Sequence, residues 1–135
     1  MLFRSALHVS VMYGHLEACQ FLLEKGANVH AEDHFDQTPL HLSAFFGNTE
    51  ITKLLIDHGA DINAVTTHNY TPLHHSAQKG HGEISKLLID KGANINAVNI
   101  LNQTPLFCAV AFNQRNTVEI LLNAGCDLKI GRAHV

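Results

Sequence analysis

The residues Thr38-Pro39-Leu40-His41 return unchanged 33 positions later as Thr71-Pro72-Leu73-His74. Thr104-Pro105-Leu106-Phe107 keeps three of the four, and Ser5-Ala6-Leu7-His8 stands in the same register upstream. The tetrad has the chemistry of a helix start. A Thr or Ser hydroxyl accepts from the first free backbone N–H groups, and Pro follows where its missing N–H costs nothing. A fixed period of this length means that each unit is one supersecondary element, which buries its apolar face only against its neighbours. The chain is therefore expected to be a stack of four units.

The repeat extends well beyond the tetrad. Residues 34–66 set against 67–99 give 20 identities in 33 positions without a gap. Ser43-Ala44 and Ser76-Ala77 put small residues on a short first helix. Gly14, Gly47 and Gly80 then mark its end, with Asn113 in the same slot of the last unit; Gly and Asn tolerate the left-handed backbone that stops a helix. A second helix carries apolar residues at helical spacing, Ile51, Leu54 and Leu55 in one unit and Ile84, Leu87 and Leu88 in the next. It closes at Gly26, Gly59, Gly92 and Gly125. In the first unit the pair is expected at about residues 6–13 and 16–24. Asp61-Ile62-Asn63-Ala64 and Asn94-Ile95-Asn96-Ala97 lead into polar turns, in which Asp36, Asn69 and Asn102 hold a position suited to positive φ.

This pattern resembles the ankyrin repeat, with its Thr-Pro-Leu-His-x-Ala signature, over residues 1 to 129. The departures are Ser5-Ala6 for Thr-Pro, Phe107 for His and Asn113 for Gly. The resemblance implies an all-α solenoid of stacked helix-turn-helix units with projecting β-hairpin fingers. One domain, residues 1–129, would comprise units 1–33, 34–66, 67–99 and 100–129. The first helices would form a concave face beside the fingers.

Composition narrows the function. Hydrophobic content of 46% is ample for a core, and a net charge of −3 with both signs scattered offers no basic face for nucleic acid. No apolar run approaches the roughly 20 residues of a membrane span, and Met1-Leu2-Phe3-Arg4 does not begin a secretion signal. Cys19, Cys108 and Cys126, odd in number and without CxxC spacing, suit a reducing, intracellular compartment, cytoplasmic or nuclear. Phe107, Cys108, Val110, Ala111 and Phe112 give the last unit an apolar first helix, and no finger strand precedes Ser5. Both ends read as though the array continues. Residues 130–135 leave the repeat pattern and match one reading frame of a widely used sequencing-adapter oligonucleotide, so they are expected to be a non-native tail.

The eleven His residues raise the question of metal. His8, His41 and His74 recur once per unit on helices about 8–10 Å apart, which suits a repeated structural hydrogen bond better than a shared ion. In the family resembled, this His ties adjacent units together. His74 and His75 point to different sides of their helix. No phosphate loop, nucleophile elbow or dinucleotide fingerprint is present, so neither enzyme activity nor cofactor is expected. The sequons at Asn69 and Asn102 arise from the turn residue and the capping Thr.

The function expected is protein recognition by a monomeric module, through a concave face and fingers. The alternative is a regulatory or architectural segment of a larger enzyme, channel or signalling protein. In the family resembled, the two residues before the helix-ending Gly face the concave side. These are Met12-Tyr13, Phe45-Phe46, Gln78-Lys79 and Ala111-Phe112, with Phe46 the ring expected to turn inward if one does. Phe35 and Leu101 at the finger tips extend the surface, with His34, Gln37, His68 and Tyr70 as polar neighbours. The resemblance also marks Asn63 and Asn96, with Leu55 and Leu88 eight residues upstream, as substrates for a 2-oxoglutarate-dependent asparaginyl hydroxylase.

Overall fold

The computed structural model describes residues 4–126; the tail expected at residues 130–135 lies outside them. The described residues form four helix pairs: α1 (Ala6–Met12) with α2 (Leu16–Glu24), α3 (Pro39–Phe46) with α4 (Thr49–Asp57), α5 (Pro72–Lys79) with α6 (Gly82–Asp90), and α7 (Pro105–Ala111) with α8 (Arg115–Asn123). Each first helix starts at a hydroxyl cap: Ser5, Thr38, Thr71 and Thr104 accept from the backbone N–H three residues on. Such a cap stabilises a helix by about 1 kcal/mol.

Gly47 and Gly80 end α3 and α5 with φ of 83° and 77°. Gly47 is also required by contact, since a Cβ there would lie 2.5 Å from the His81 ring. Asn113 takes φ 58° in the corresponding slot of the last unit.

Leu7, Leu40, Leu73 and Leu106 occupy one slot of successive first helices and are buried, as are Ile51, Leu55, Ile84, Leu88 and Leu121 on the second helices. Burying each such side chain contributes about 1.5–3 kcal/mol. The core is thus a continuous seam between units. First helices pack on one another more extensively than second helices do, so the stack is tighter on the first-helix side.

A polar pair crosses each of the first three units. Ser10 Oγ lies 3.1 Å from Cys19 Sγ, the Thr52 and Ser43 hydroxyls are 2.9 Å apart, and those of Ser76 and Ser85 are 2.7 Å apart. In the last unit both partners are apolar together, Ala109 and Val118. That keeps the pairing rule, because a lone buried hydroxyl would be costly. Thr117, in the slot of Ile51 and Ile84, does carry a buried hydroxyl without a partner.

The expected fingers are tight turns. The N–H groups of Asp33, Thr66 and Asn99 donate to the carbonyls of Gln37, Tyr70 and Gln103 at 3.0–3.1 Å. Asp36, Asn69 and Asn102 take φ of 61°, 64° and 60°. Successive turns are joined by one backbone bond each, Thr67 N–H to Phe35 O at 3.0 Å and Ile100 N–H to His68 O at 3.1 Å. Single bonds make no ladder, and no strand is present among the described residues.

Candidate functional site

The repeated histidine ties each unit to the next. His41 Nδ1 accepts from the Thr38 N–H at 3.1 Å and lies 2.9 Å from its hydroxyl, while Nε2 reaches the Tyr70 carbonyl in the next unit at 3.0 Å. His74 does the same between Thr71 and Gln103, and His8 between Ser5 and Gln37. A carbonyl only accepts, so Nε2 carries the proton and Nδ1 is the acceptor in each neutral ring. The imidazole therefore joins a helix cap to the finger of the following unit. Phe107 leaves this bond unmade in the last unit.

A second set of ties is visible only in three dimensions. His81 Nε2 donates to the Phe45 carbonyl at 3.1 Å, and Gln114 Nε2 to the Gln78 carbonyl at 2.9 Å. Both reach back one unit to the end of a first helix.

The finger bases are held from within. Asp33 Oδ1 accepts from the N–H groups of Phe35 and Gln37 at 2.9 Å, and Asn99 Oδ1 from those of Leu101 and Gln103. Thr66 Oγ1 accepts from Tyr70 N–H at 3.1 Å. The other Asp33 oxygen lies 3.6 Å from Arg4 Nε, an ion pair beyond hydrogen-bond reach.

Between the second and third units these supports frame an open pocket of about 310 Å³, lined by Phe35, Gln37, Phe45, Thr66, His68, Tyr70, His75 and Gln78. Six of these, Phe35, Gln37, Phe45, His68, Tyr70 and Gln78, belong to the surface expected from the sequence. Thr66 and His75 do not. His75 sits in the slot of Leu42 and Cys108 within an otherwise matching stretch, and that difference between units is the signal that could have marked it. It is 8% exposed. Its ring stacks on Tyr70 and meets Phe45 and His41 edge to face, at centroid distances of 5.6–5.7 Å. Nε2 is 3.3 Å from Gln37 Oε1, and Nδ1 has no partner. Burial, assisted by His41 and His74, lowers its pKa from 6.5 to about 3, so the pocket floor is uncharged at neutral pH.

The paired rings take different positions. Phe45 is half-buried against His75, whereas Phe46 is 49% exposed and meets Phe45 edge to face at 5.1 Å. It is Phe45 that turns in, because His75 offers it a ring to pack on. The Lys79 ammonium lies over the outer part of this cluster, 4.8 Å from the Phe45 centroid. His34 stays beside the Phe35 ring at 4.1 Å.

Met12, Tyr13, Leu101 and Phe112 do not line the pocket. Tyr13, 69% exposed, stacks loosely on His15; Met12 is half-buried, and Leu101 and Phe112 are exposed. Asn63 lies away from the pocket, on the loop leading into the third unit. Its Nδ2 donates to Gly92 O at 3.1 Å and its Oδ1 accepts from Asn94 N–H at 2.7 Å. Asn96 holds the same slot one unit on and is exposed.

Cys19 and Cys108 are buried as free thiols, and burial pushes the Cys108 thiol up to about 11, which makes it unreactive. Among the described residues no group of three or more His, Cys, Asp or Glu could hold a metal ion, and no helix is long and apolar enough to cross a membrane.

Comparison with known proteins agrees with this architecture. A family model described as ankyrin repeats in three copies matches residues 3–66 and again 64–131. A search of curated proteins finds no match. The capped helix pairs, the histidine ties between units and a family match over nearly the whole length lead to one conclusion: the chain belongs to the ankyrin-repeat family.

Proposed function

We propose that this chain is a non-catalytic recognition scaffold that binds a protein partner through the concave face of α1, α3, α5 and α7 and the adjoining finger turns. Ankyrin repeats are generally protein–protein interaction modules, typically without catalysis. The observation that carries the reading is the pocket walled by Phe35, Phe45, Tyr70 and His75. Aromatic side chains in a rigid frame lose little rotamer freedom on contact and are favoured as anchors. Tyr13, Phe46 and Phe112 widen the face into an apolar surface of the kind associated with partners. The scaffold acts as a monomeric module in an intracellular compartment, where its buried thiols stay reduced.

The reading is tested with Tyr13→Ser, Phe46→Ser and Phe45→Ser variants in a cross-linking capture from cell extract. A partner held by the native chain and lost from the variants, with melting midpoints nearly unchanged for Tyr13→Ser and Phe46→Ser, is the expected result. Capture that is indifferent to all three substitutions would place recognition elsewhere.

A further inference from the structure

The charge on the two faces of the stack is unequal. The first helices contain no Asp or Glu, whereas every second helix carries at least one, Glu17, Glu50, Glu83 and Glu119 among them. The one Lys on a first helix, Lys79, stands at the pocket with its ammonium over the Phe45 ring. Of the finger carboxylates before α3, Asp33 is buried beside Arg4 and Asp36 is exposed, accepting from the Thr67 hydroxyl at 3.4 Å; neither lines the pocket. Lys79 is thus the one Lys, Arg, Asp or Glu side chain on the four first helices.

The pocket itself is ring-walled, with no carboxylate or ammonium in its lining. At about 310 Å³ it lies at the small end of ligand sites, the size for one inserted side chain. Phe35, Phe45 and Tyr70 in its lining offer a planar ring the aromatic partners with which such rings pair favourably. A cationic guest is disfavoured, because no carboxylate lines the pocket and Lys79 already covers Phe45. His75 contributes by holding the Gln37 amide oxygen, which fixes a polar group at one side of the pocket where a Leu would fix none.

We infer that this pocket takes an aromatic side chain from an acidic segment of a partner protein, with the ring at the open mouth lined by Phe35, Phe45 and Tyr70 and a neighbouring carboxylate at Lys79. The inference rests on the concave face being the recognition surface, and it names what that surface selects.

The test is selection of a displayed random-peptide library on the immobilised full chain, followed by affinity measurement on Gln78→Trp, which fills the pocket mouth, and Lys79→Glu, which reverses the charge. Thermal melts establish that both variants fold; Gln78→Ala replaces the first if it does not. Enriched peptides should pair an aromatic residue with Asp or Glu, and Gln78→Trp should weaken them about tenfold or more, as for loss of a hot-spot contact. Lys79→Glu should weaken them and remove the preference for acid. Binders that are basic or lack an aromatic residue, or that ignore both substitutions, overturn the inference and leave protein recognition standing. A library that yields no binder here while enriching on a control array counts against both.

Discussion

The His75 imidazole lies nearly parallel to the Tyr70 ring, with centroids 5.7 Å apart and planes 14° from coplanar. Tyr70 belongs to a finger turn and His75 to α5, so this stack packs the finger against the helix beneath it. The same Tyr70 gives its carbonyl to His41 of the preceding unit. One residue therefore joins a finger, its own helix and the neighbouring repeat.

His75→Leu tests how the buried ring is tolerated. Leu42 shows that the slot accepts Leu, and the substitution removes a nitrogen that is buried without a partner. An unsatisfied buried polar atom costs about 1–3 kcal/mol, and the bond to Gln37 is long, so stability in urea should hold or rise by about 1 kcal/mol. A clear loss would show that the Gln37 and Tyr70 contacts outweigh that cost.

Acid should loosen the stack from within. Burial lowers His41 from 6.5 to about 4, against a smaller opposing effect of its bond to Tyr70, and lowers His75 to about 3. Above pH 6.5 these rings are neutral folded or unfolded, so stability is flat with respect to them. Below it the unfolded chain takes up protons that the folded chain refuses, and stability falls until the pH passes the folded values. His41 alone would withdraw about 3 kcal/mol between pH 6.5 and 4. Urea midpoints across that range should decline, and His75→Leu should flatten the curve.

His41→Phe imitates the last unit, in which Phe107 replaces the histidine. It leaves the Tyr70 carbonyl and the Thr38 N–H without their imidazole partner in a buried setting. The expected loss is about 2–4 kcal/mol, read from urea unfolding. Hydrogen exchange should quicken at the boundary between the second and third units. A loss confined to the second unit would mean that the bond is not what couples them.

Asn63 and Asn96 are expected substrates for a 2-oxoglutarate-dependent asparaginyl hydroxylase. Such an enzyme needs the segment extended, which requires Asn63 to give up its bonds to Gly92 and Asn94. Reaction at Asn63 should therefore be limited by local opening and should accelerate in the His41→Phe chain. Mass spectrometry should find one added oxygen on peptides carrying Asn63 or Asn96. An unmodified chain, under conditions that modify a control array, sinks the expectation.

Much of the architecture is readable from residues close together in the chain. Thr38 and His41 are three positions apart, and Asp36, Asn69 and Asn102 need only their own backbone to adopt positive φ. A cap, a turn and an apolar stripe act over a few residues, and their repetition every 33 positions dictates a stack. The amino-acid sequence by itself thus determined the helix pairs, their order and the local cap that His41 shares with Thr38, whereas the bond from His41 to Tyr70, 29 residues on, was expected from the family resemblance and is made only by packing. Only the tertiary structure decided which of Phe45 and Phe46 turns inward, that His75 is buried, and that His81 and Gln114 reach back one unit. The Phe45 choice depends on a ring 30 residues away in the chain, and the Gln37–His75 contact spans 38. Contacts of that reach exist only after the repeats have packed, because each side chain chooses its direction from the space its neighbour leaves. The pocket belongs to this class, since it is formed by two units together and by neither alone.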